Sequence, residues 1–367
     1  MFNEALLKSE EKAVLALRSL YNQYGYQPFK MSKFEEYDLY VRNKDFLVSD
    51  SIITFTDTNG KLLALKPDVT LSIIKNTADE EGNKQKVYYN ENVYRLSGST
   101  HQFKEIMQSG IECIGDIDST DVFEVVYIAA KSLSMMSDEF ILDISHMGLY
   151  SAMLDEVSTD KVFRKQITEL IAEKNRHEAL ALCEKYQITK DKSAVIEVML
   201  SLYGNLAESV DAIFEICKNE KQLAALNELR TLADLFANTE FAEKIKFDFS
   251  VINDMRYYDG IVFKGFINGI YEDVLTGGKY DPLMKRMGRT SSAIGFAVYV
   301  DLLSQLSDSN TYDVDVLMIY DEKTTAETII LKKEELIRSE KSVFSSRIIP
   351  TKLRYKELID LSKEAAK

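Results

Sequence analysis

The chain has 367 residues, a length that predicts two or three domains, and its 46% hydrophobic and 28% charged residues fit a soluble globular protein. The net charge of −14 argues against a general nucleic-acid binder, because such proteins neutralise phosphates with a basic face. Isolated cysteines, no signal-like N-terminus and no apolar run of about 20 residues favour a cytoplasmic protein without a membrane span.

The first 150 residues alternate between helical and β-rich patterns. An Asn-Gly pair at 59–60 lies between two β-rich runs, which is a strong hairpin signal. Pro67 ends the second run, because proline cannot donate to a sheet ladder. The predicted elements are a helix over 4–24, strands over 52–57 and 61–65, a helix over 69–77, strands over 86–95 and 106–114, a helix over 121–135 and a strand over 139–144.

Residues 150–245 are rich in Leu, Ala, Glu and Lys and contain one glycine and no proline, which predicts a helical insertion. β-Rich runs then return and predict an antiparallel meander that ends at the Gly-Gly pair of 277–281. A polar run over 307–311 predicts a linker. The predicted elements after the insertion are strands over 247–252, 257–266 and 270–275, a buried helix over 291–303, a strand over 313–319, a helix over 323–339, a strand over 342–348 and a helix over 351–365.

Together these patterns predict an α+β protein with two domains. The first, over 1–303, is expected to be a mostly antiparallel sheet with flanking helices and the helical insertion of about 150–245; the second is a small α/β domain over 312–367. Neither a glycine-rich dinucleotide fingerprint nor a phosphate-binding P-loop is present, so a doubly wound nucleotide fold is not expected. The histidines are scattered without zinc-ligand spacing, and we expect neither a metal nor a cofactor.

Two segments place charged side chains at the ends of apolar strands. Asp68 and Thr70 share a face if the chain there is extended, and an acid beside a hydroxyl suits an ammonium group. A helix N-cap after Pro67 is the alternative, and it is favoured for this segment alone. Arg95 ends a strand and is suited to a carboxylate or phosphate, although a solvated strand end is the simpler explanation in isolation.

A third segment combines polar side chains with glycine on one predicted strand. Gln108 and Glu112 point the same way and flank Gly110, which leaves room for a ligand. The strand is too apolar to be an edge strand that faces water, and a buried glutamate needs a partner. Functional and structural explanations are equally supported here.

A fourth segment is rich in tyrosine and glycine. Tyr257 and Tyr258 lie within 253–263, and Gly278 and Tyr280 follow them. Tyrosines offer an apolar ring with a polar tip, and paired glycines let the backbone approach a ligand closely. A tyrosine-rich core with a tight turn is the simpler explanation of these residues alone.

In their order and spacing, the segments resemble the catalytic core of histidyl-tRNA synthetase, a class II aminoacyl-tRNA synthetase. Residues 87–115 resemble its motif 2, 253–263 its histidine-recognition motif, 277–281 its Gly-Gly-Arg-Tyr-Asp segment and 292–297 the start of its motif 3. The resemblance spans about residues 1–303. It implies the class II synthetase fold, with a C-terminal unit shorter than an anticodon-binding domain.

The resemblance also identifies two positions at which arginines of the family are replaced. Asn253 stands where the histidine motif opens with a catalytic arginine, and Leu302 stands where motif 3 carries the arginine that holds ATP. Fixed cations stabilise the charge that develops on the α-phosphate, so each loss implies roughly a 10²–10³-fold lower rate. The family's aspartate position holds Arg256, and the motif 2 loop lacks Glu-Arg-Pro. The resemblance therefore implies a pocket that binds without catalysis.

By the same resemblance, the ammonium group of histidine would meet Asp68, Thr70 and Gln108, and its imidazole would meet Glu112 and Tyr257. Tyr280 and neighbouring glycines would close the site. The implied histidine-binding residues are Asp68, Thr70, Arg95, Gln108, Glu112, Tyr257, Tyr258, Gly278 and Tyr280.

Residues 66–70, Lys-Pro-Asp-Val-Thr, resemble a paralogous family more closely: the regulatory subunits of ATP phosphoribosyltransferase, which do not charge tRNA. This resemblance implies a non-catalytic subunit that a short catalytic subunit requires for the first step of histidine biosynthesis. It also implies histidine as a feedback effector and a self-dimer within a hetero-oligomer, with tRNA not expected as a partner. The alternatives are an active or degenerate histidyl-tRNA synthetase and a histidine-sensing pseudo-synthetase with another partner.

Overall fold

The computed structural model describes residues 7–44, 47, 51–79, 82–96, 101–252, 257–306 and 312–364. The chain divides into two compact units, Met1–Leu306 and Ser307–Lys367. The polar run 307–311, which is the predicted linker, lies outside the described residues.

The larger unit is built on one large sheet and one small sheet. Its strands, within the described residues, are β1 (Gln27–Pro28), β2 (Phe34–Glu36), β3 (Thr54–Thr56), β4 (Leu62–Leu65), β5 (Gln85–Leu96), β6 (Phe103–Gly115), β7 (Phe140–His146), β8 (Tyr203–Asn205), β9 (Ile245–Asp248), β10 (Ile261–Ile267), β11 (Leu275–Lys279) and β12 (Ser292–Tyr299). Nine strands form the main sheet in the order β1-β5-β6-β12-β11-β10-β7-β9-β8, and β2-β4-β3 form the small one. In the main sheet, β1–β5 and β7–β9 pair in parallel and the other neighbours pair antiparallel, which confirms the mostly antiparallel sheet.

Helices cover the sheet and form the insertion. The helices of the larger unit are α1 (Ser9–Gln23), α2 (Tyr37–Arg42), α3 (Thr70–Asn76), α4 (Ser119–Ser134), α5 (Met147–Val157), α6 (Lys161–Ala172), α7 (Arg176–Lys185), α8 (Lys190–Ser201), α9 (Leu206–Phe214), α10 (Glu220–Phe236), α11 (Asp281–Arg286) and the 3-10 helix Val300–Leu306. Helices α5 to α10 occupy most of the segment predicted to be a helical insertion. In the part of the chain that the structure describes, none of the helices has the length and apolar character of a bilayer span.

The main sheet separates two apolar clusters, because side chains along a strand point alternately to its two faces. On β6, Ile111 and Cys113 join the larger cluster, together with residues of α1, α4 and the insertion. Ile114 joins the smaller cluster, which includes Ile73 of α3. Glu112 lies two residues before Ile114, so its side chain points to the face of the smaller cluster, which also carries the candidate site.

Two of the elements predicted for the larger unit are wrong in type or position. The run 291–303, predicted as a buried helix, is strand β12 followed by the 3-10 helix. Successive residues of β12, such as Ala293 and Ile294, are buried on both sides of the sheet, so the run lacks the alternation that identifies a strand. The predicted strand 270–275 is also wrong: β11 begins at Leu275 and contains the Gly-Gly pair within the strand.

The smaller unit is a three-stranded parallel sheet with helices. Its elements are β13 (Val314–Ile319), α12 (Ala326–Arg338), β14 (Val343–Ser346), β15 (Tyr355–Asp360) and α13 (Leu361–Glu364). Strand β13 lies in the centre and pairs in parallel with both β14 and β15. The predicted helix over 351–365 is wrong over Tyr355–Asp360, because pairing with β13 overrides the helical preference of the Lys, Leu and Glu residues there; only its end, Leu361–Glu364, is helical.

A buried ion pair joins the segment before α3 to strand β5. Lys66 is fully buried, and its Nζ lies 2.5 Å from Oε2 of Glu91. The backbone carbonyl of Lys66 accepts the N–H of Tyr94 at 3.0 Å. These contacts fix the position of the segment that carries two of the predicted site residues.

We predict that Glu91→Ala lowers the free energy of unfolding by about 3 kcal/mol, because it leaves the buried Lys66 ammonium without its counter-charge. The double variant Lys66→Met, Glu91→Leu removes both charges and is expected to lose much less. Urea unfolding followed by circular dichroism measures both values. Equal losses for the two variants would contradict the importance of the unpaired charge.

Candidate ligand-binding site

A cavity of about 500 Å³ lies on the face of the main sheet that carries Glu112. This volume falls within the roughly 300–1,000 Å³ that is typical of small-molecule sites. Strands β5, β6, β10, β11 and β12 and the start of α3 supply its walls. The lining within the described residues is Leu47, Asp68, Val69, Thr70, Tyr89, Arg95, Gln108, Glu112, Tyr257, Tyr258, Lys264, Asp273, Thr276, Gly277, Tyr280, Gly295, Phe296, Ala297 and Tyr299.

The structure brings the predicted site residues together around this cavity, with the exception of Gly278. Gly278 is buried within β11, where a Cβ would lie 2.9 Å from a ring carbon of Tyr258. The glycine therefore leaves space for the Tyr258 ring, and the ring in turn lines the cavity. Gln108, also on the lining, is 3% exposed.

Glu112 on β6 is held by hydrogen bonds from two other elements. It is 2% exposed, and its Oε1 accepts a hydrogen bond from the Thr70 hydroxyl at 2.9 Å. Its Oε2 accepts from the Tyr280 hydroxyl at 2.6 Å. Gly295 on β12 provides the space, because a Cβ at this position would lie 1.8 Å from Oε2 of Glu112. The carboxyl group is thus fixed in one orientation before any ligand arrives.

The surroundings of Glu112 favour its protonated form. Burial raises the pKa of Glu112 to about 8, and the charge of Asp68 adds to the increase, although the hydrogen bonds from Tyr280 and Thr70 lower it. At neutral pH the carboxyl group therefore keeps its proton unless a cationic group lies beside it. A buried acid with a raised pKa that faces a cavity is typical of functional sites.

The segment before α3 does not have the extended shape that was considered for it. Thr70 is the first residue of α3, and Oδ1 of Asp68 accepts the backbone N–H of Leu71 at 2.9 Å. Asp68 thus stabilises the start of the helix, as the cap explanation predicts, although the N-cap position itself is occupied by Val69. Burial raises the pKa of Asp68, while the charge of Arg95 lowers it. Asp68 and Thr70 both reach the cavity from the helix start.

Arg95 makes its contacts with the protein, so a solvated strand end is the wrong explanation for it. Its side chain is 12% exposed, and its Nε–H donates to the carbonyl of Pro67 at 2.7 Å. Its Nη2 lies 3.8 Å from Oδ2 of Asp68. Arg95 therefore holds the segment before α3 and offsets the charge of Asp68, although it also lines the cavity.

Three tyrosines form an aromatic wall. The ring centroids of Tyr257 and Tyr258 lie 4.5 Å apart, and those of Tyr257 and Tyr280 lie 5.8 Å apart. Burial raises the pKa of Tyr257 and of Tyr280 well above the usual range, so both hydroxyls keep their protons and can donate hydrogen bonds.

The sequence analysis missed several lining residues on the strands. Lys264 on β10 forms an ion pair with Asp273 at 3.5 Å. The hydroxyls of Thr276 on β11 and Tyr299 on β12 lie 3.1 Å apart. No local sequence pattern indicates that these residues line a site, because only the register of β10, β11 and β12 places them on the cavity face.

The interpretation of Gly110 as space for a ligand is wrong. A Cβ at Gly110 would lie 2.6 Å from the hydroxyl oxygen of Tyr89 and 2.2 Å from the carbonyl oxygen of Phe296. The space beside Gly110 is therefore filled by Tyr89 of β5 and by the neighbouring strand.

Of the two positions with replaced arginines, Leu302 lies within the described residues and Asn253 does not. Asn253 and Arg256 lie outside the described residues, as does most of the motif 2 loop, 97–100. Leu302 belongs to the 3-10 helix, is partly buried and packs against the larger apolar cluster. Among the residues whose placement is described, no group of three or more His, Cys, Asp or Glu could hold a metal ion.

The geometry suits a small ligand with a cationic or proton-accepting nitrogen. Glu112 and Asp68 are buried acids, and the tyrosine and threonine hydroxyls are fixed around them. Each acid gains stability in its ionised form when a cation comes within a few ångströms. An imidazole beside Glu112 and an ammonium group beside Asp68 would satisfy this requirement.

We predict that Glu112→Gln gains stability relative to the wild type as the pH rises from about 4.5 to about 8. The folded wild type keeps a proton that the unfolded chain releases, so the stability from this group is fully present below about 4.5 and is lost as the pH approaches 8. Each unit of pKa difference corresponds to about 1.4 kcal/mol.

Thermal unfolding near pH 5 and above pH 8 measures this difference, with Glu105→Gln on the same strand, outside the described lining, as the control. A difference between Glu112→Gln and wild type that does not change with pH would contradict the raised pKa.

Two comparisons of the sequence identify relatives. The family model for histidyl-tRNA synthetase matches residues 2–303. The ATP phosphoribosyltransferase regulatory subunit of Oceanobacillus iheyensis is 28% identical over 308 residues, which cover 83% of this chain and 75% of the relative. The resemblance to these regulatory subunits is therefore confirmed.

Solved structures with the same fold include an ATP phosphoribosyltransferase regulatory subunit/histidyl-tRNA synthetase from Bacillus halodurans. It has a TM-score of 0.75 and 23% identity, with 96% of this chain and 93% of that chain covered. A chain of the ATP phosphoribosyl transferase (HisG:HisZ) complex from Thermotoga maritima has a TM-score of 0.63 and 21% identity, with 78% and 96% covered. These likenesses confirm the class II synthetase-like fold. Because the family model spans most of its length, the chain belongs to the histidyl-tRNA synthetase family.

Proposed function

We propose that this chain is a non-catalytic regulatory subunit of ATP phosphoribosyltransferase and that it binds histidine in the cavity on the main sheet. The observation that carries the proposal is the buried Glu112, held by Thr70 and Tyr280 in a cavity large enough for a small molecule, in a chain whose curated relatives are named as such regulatory subunits. In the proposed complex, a short catalytic subunit performs the first step of histidine biosynthesis and requires this chain.

In the proposed complex, the imidazole of histidine binds to Glu112 and its ammonium group binds near Asp68. Proton transfer from the Glu112 carboxyl to the imidazole creates an ion pair inside the cavity, where screening by water is weak. The ligand thereby supplies the counter-charge that the ionised, buried Glu112 would otherwise lack. The free energy of histidine binding then stabilises the conformation of the protein that binds histidine more tightly.

The proposed regulation is linkage between two sites. Histidine stabilises one arrangement of the subunits, and that arrangement lowers the activity of the catalytic partner. A coupling free energy of about 1–3 kcal/mol is typical of such systems. The chain is further proposed to act in the cytoplasm, as a self-dimer within the hetero-oligomer and without tRNA.

Activation of histidine on ATP is the second candidate, because the family model is that of histidyl-tRNA synthetase. The Asn253 and Leu302 positions argue against it, since both would lack the cation that stabilises a developing phosphate charge. Histidine-dependent pyrophosphate exchange by the purified chain distinguishes the candidates. Exchange at a rate typical of synthetases would support the synthetase and contradict the regulatory proposal.

We predict that the chain co-purifies with a short ATP phosphoribosyltransferase catalytic subunit when the two are co-expressed, and that it raises the activity of that subunit. Histidine is expected to inhibit the complex. A complex with Glu112→Ala is expected to need at least about tenfold more histidine for the same inhibition, because one charge-assisted contact is lost.

Glu105→Ala, on the same strand outside the described lining, is the matched control and should leave the inhibition constant unchanged. Failure of the two chains to co-purify, together with no gain in activity, would show that the regulatory proposal is wrong. Inhibition that is insensitive to Glu112→Ala would place histidine at another site, such as a subunit interface.

A further inference from the structure

The described lining of the cavity carries three acids, Asp68, Glu112 and Asp273, and two cations, Arg95 and Lys264. An α-amino acid brings a carboxylate, which needs a cationic partner when it leaves water. We propose that Lys264 binds the carboxylate of the amino acid that occupies this cavity and so selects for ligands that have one. This inference rests on the proposed function, because it assumes an amino-acid ligand.

Arg95 is the weaker choice because its guanidinium is already bound to other groups. Its Nε–H donates to the carbonyl of Pro67, and its Nη2 faces Asp68. A ligand carboxylate placed on Arg95 would also approach the charge of Asp68. Asp68 is better placed to meet the ammonium group of the ligand than to accept a second anion beside it.

Lys264 is held only weakly by its partner. Its Nζ lies 3.5 Å from Oδ2 of Asp273, which is longer than the 2.7–2.9 Å of a strong charge-assisted hydrogen bond. The two side chains are 28% and 34% exposed, so water screens their attraction. A carboxylate that enters the cavity can therefore compete with Asp273 for the ammonium group.

The strand register places Lys264 on the same face of the sheet as Glu112. Glu112 lies opposite Gly295, which lies opposite Gly278 on the next strand. Gly278 lies opposite Val262 on β10. Because directly opposed residues share a face, Val262 points to the face of Glu112, and so does Lys264 two residues later.

The distance between the two positions leaves room for a ligand that lies across the strands. Three strand spacings of about 4.8 Å and two residues of about 3.4 Å along β10 separate the two Cα atoms by roughly 16 Å. Both residues line the cavity. Thr276 on β11 lies opposite Lys264, and Ala297 on β12 lies opposite Thr276. Both side chains are small and line the cavity on the strands between Lys264 and Glu112.

Histamine provides the critical comparison, because it has the imidazole and the ammonium group of histidine but no carboxylate. Calorimetry with both ligands on wild type and Lys264→Met measures the contribution of the proposed contact. We expect Lys264→Met to lower the affinity for histidine by about tenfold or more and that for histamine by less than about twofold. Lys246→Met is the matched control, since Lys246 lies on the same sheet face two strands away and outside the described lining.

Asp273→Asn is a second variant that does not remove the proposed contact. It frees Lys264 from its competitor, so histidine is expected to bind more tightly, whereas cationic histamine is not expected to gain. A gain in affinity for histidine but not for histamine would support the assignment even if Lys264→Met folded poorly.

The outcomes separate this inference from the proposed function. If wild type binds histidine but Lys264→Met binds it equally well, or loses histidine and histamine to the same extent, the assignment of Lys264 is overturned and the histidine site stands. If wild type binds neither ligand, the proposed histidine site fails and the role of Lys264 fails with it.

Discussion

The buried carboxyl group of Glu112 is the contact on which the candidate site depends. Thr70 at the start of α3 and Tyr280 after β11 both donate to it, so one side chain joins three separate parts of the fold. Gly295 is required at the same place, since any side chain there would collide with Glu112. The segment that carries Thr70 is itself fixed by the buried Lys66 and by Arg95. A change in any of these elements is therefore transmitted to the cavity.

In the proposed function, the same contact accounts for regulation without chemistry. A carboxyl group that is almost fully buried is less stable when ionised than in water, and the raised pKa of Glu112 expresses that penalty. A ligand nitrogen that accepts the proton ionises the carboxyl group and at the same time supplies the counter-charge that offsets the penalty, and the resulting ion pair stabilises the arrangement of α3, β6 and β11 that surrounds it. The free energy released can be coupled to a partner subunit, provided that the partner binds one arrangement better than the other.

Local patterns were sufficient to predict the long strands and helices but not every segment. β-Rich runs between polar loops predict strands β5 and β6, whereas the run of β12 resembles a buried helix because both of its faces are buried. Strand β15 depends on pairing with β13, which no local pattern contains. The family resemblance predicts most of the residues that line the cavity. Lys264 and Tyr89 reach it only through strand register, and the contacts of Arg95 are visible only in the folded structure.

The central claim, that Glu112 receives the imidazole of histidine, is tested most directly by the pH dependence of histidine affinity from about pH 5.5 to 9. Free imidazole loses its proton at about pH 6.5 and Glu112 at about pH 8, whereas the bound pair shares one proton. The wild-type affinity should therefore rise up to about pH 6.5, stay level and fall above about 8. Glu112→Gln should show the rise but lack the fall that Glu112 causes, keeping only the change that deprotonation of the ligand's own ammonium group produces in both proteins. Identical profiles for the two proteins would contradict the account.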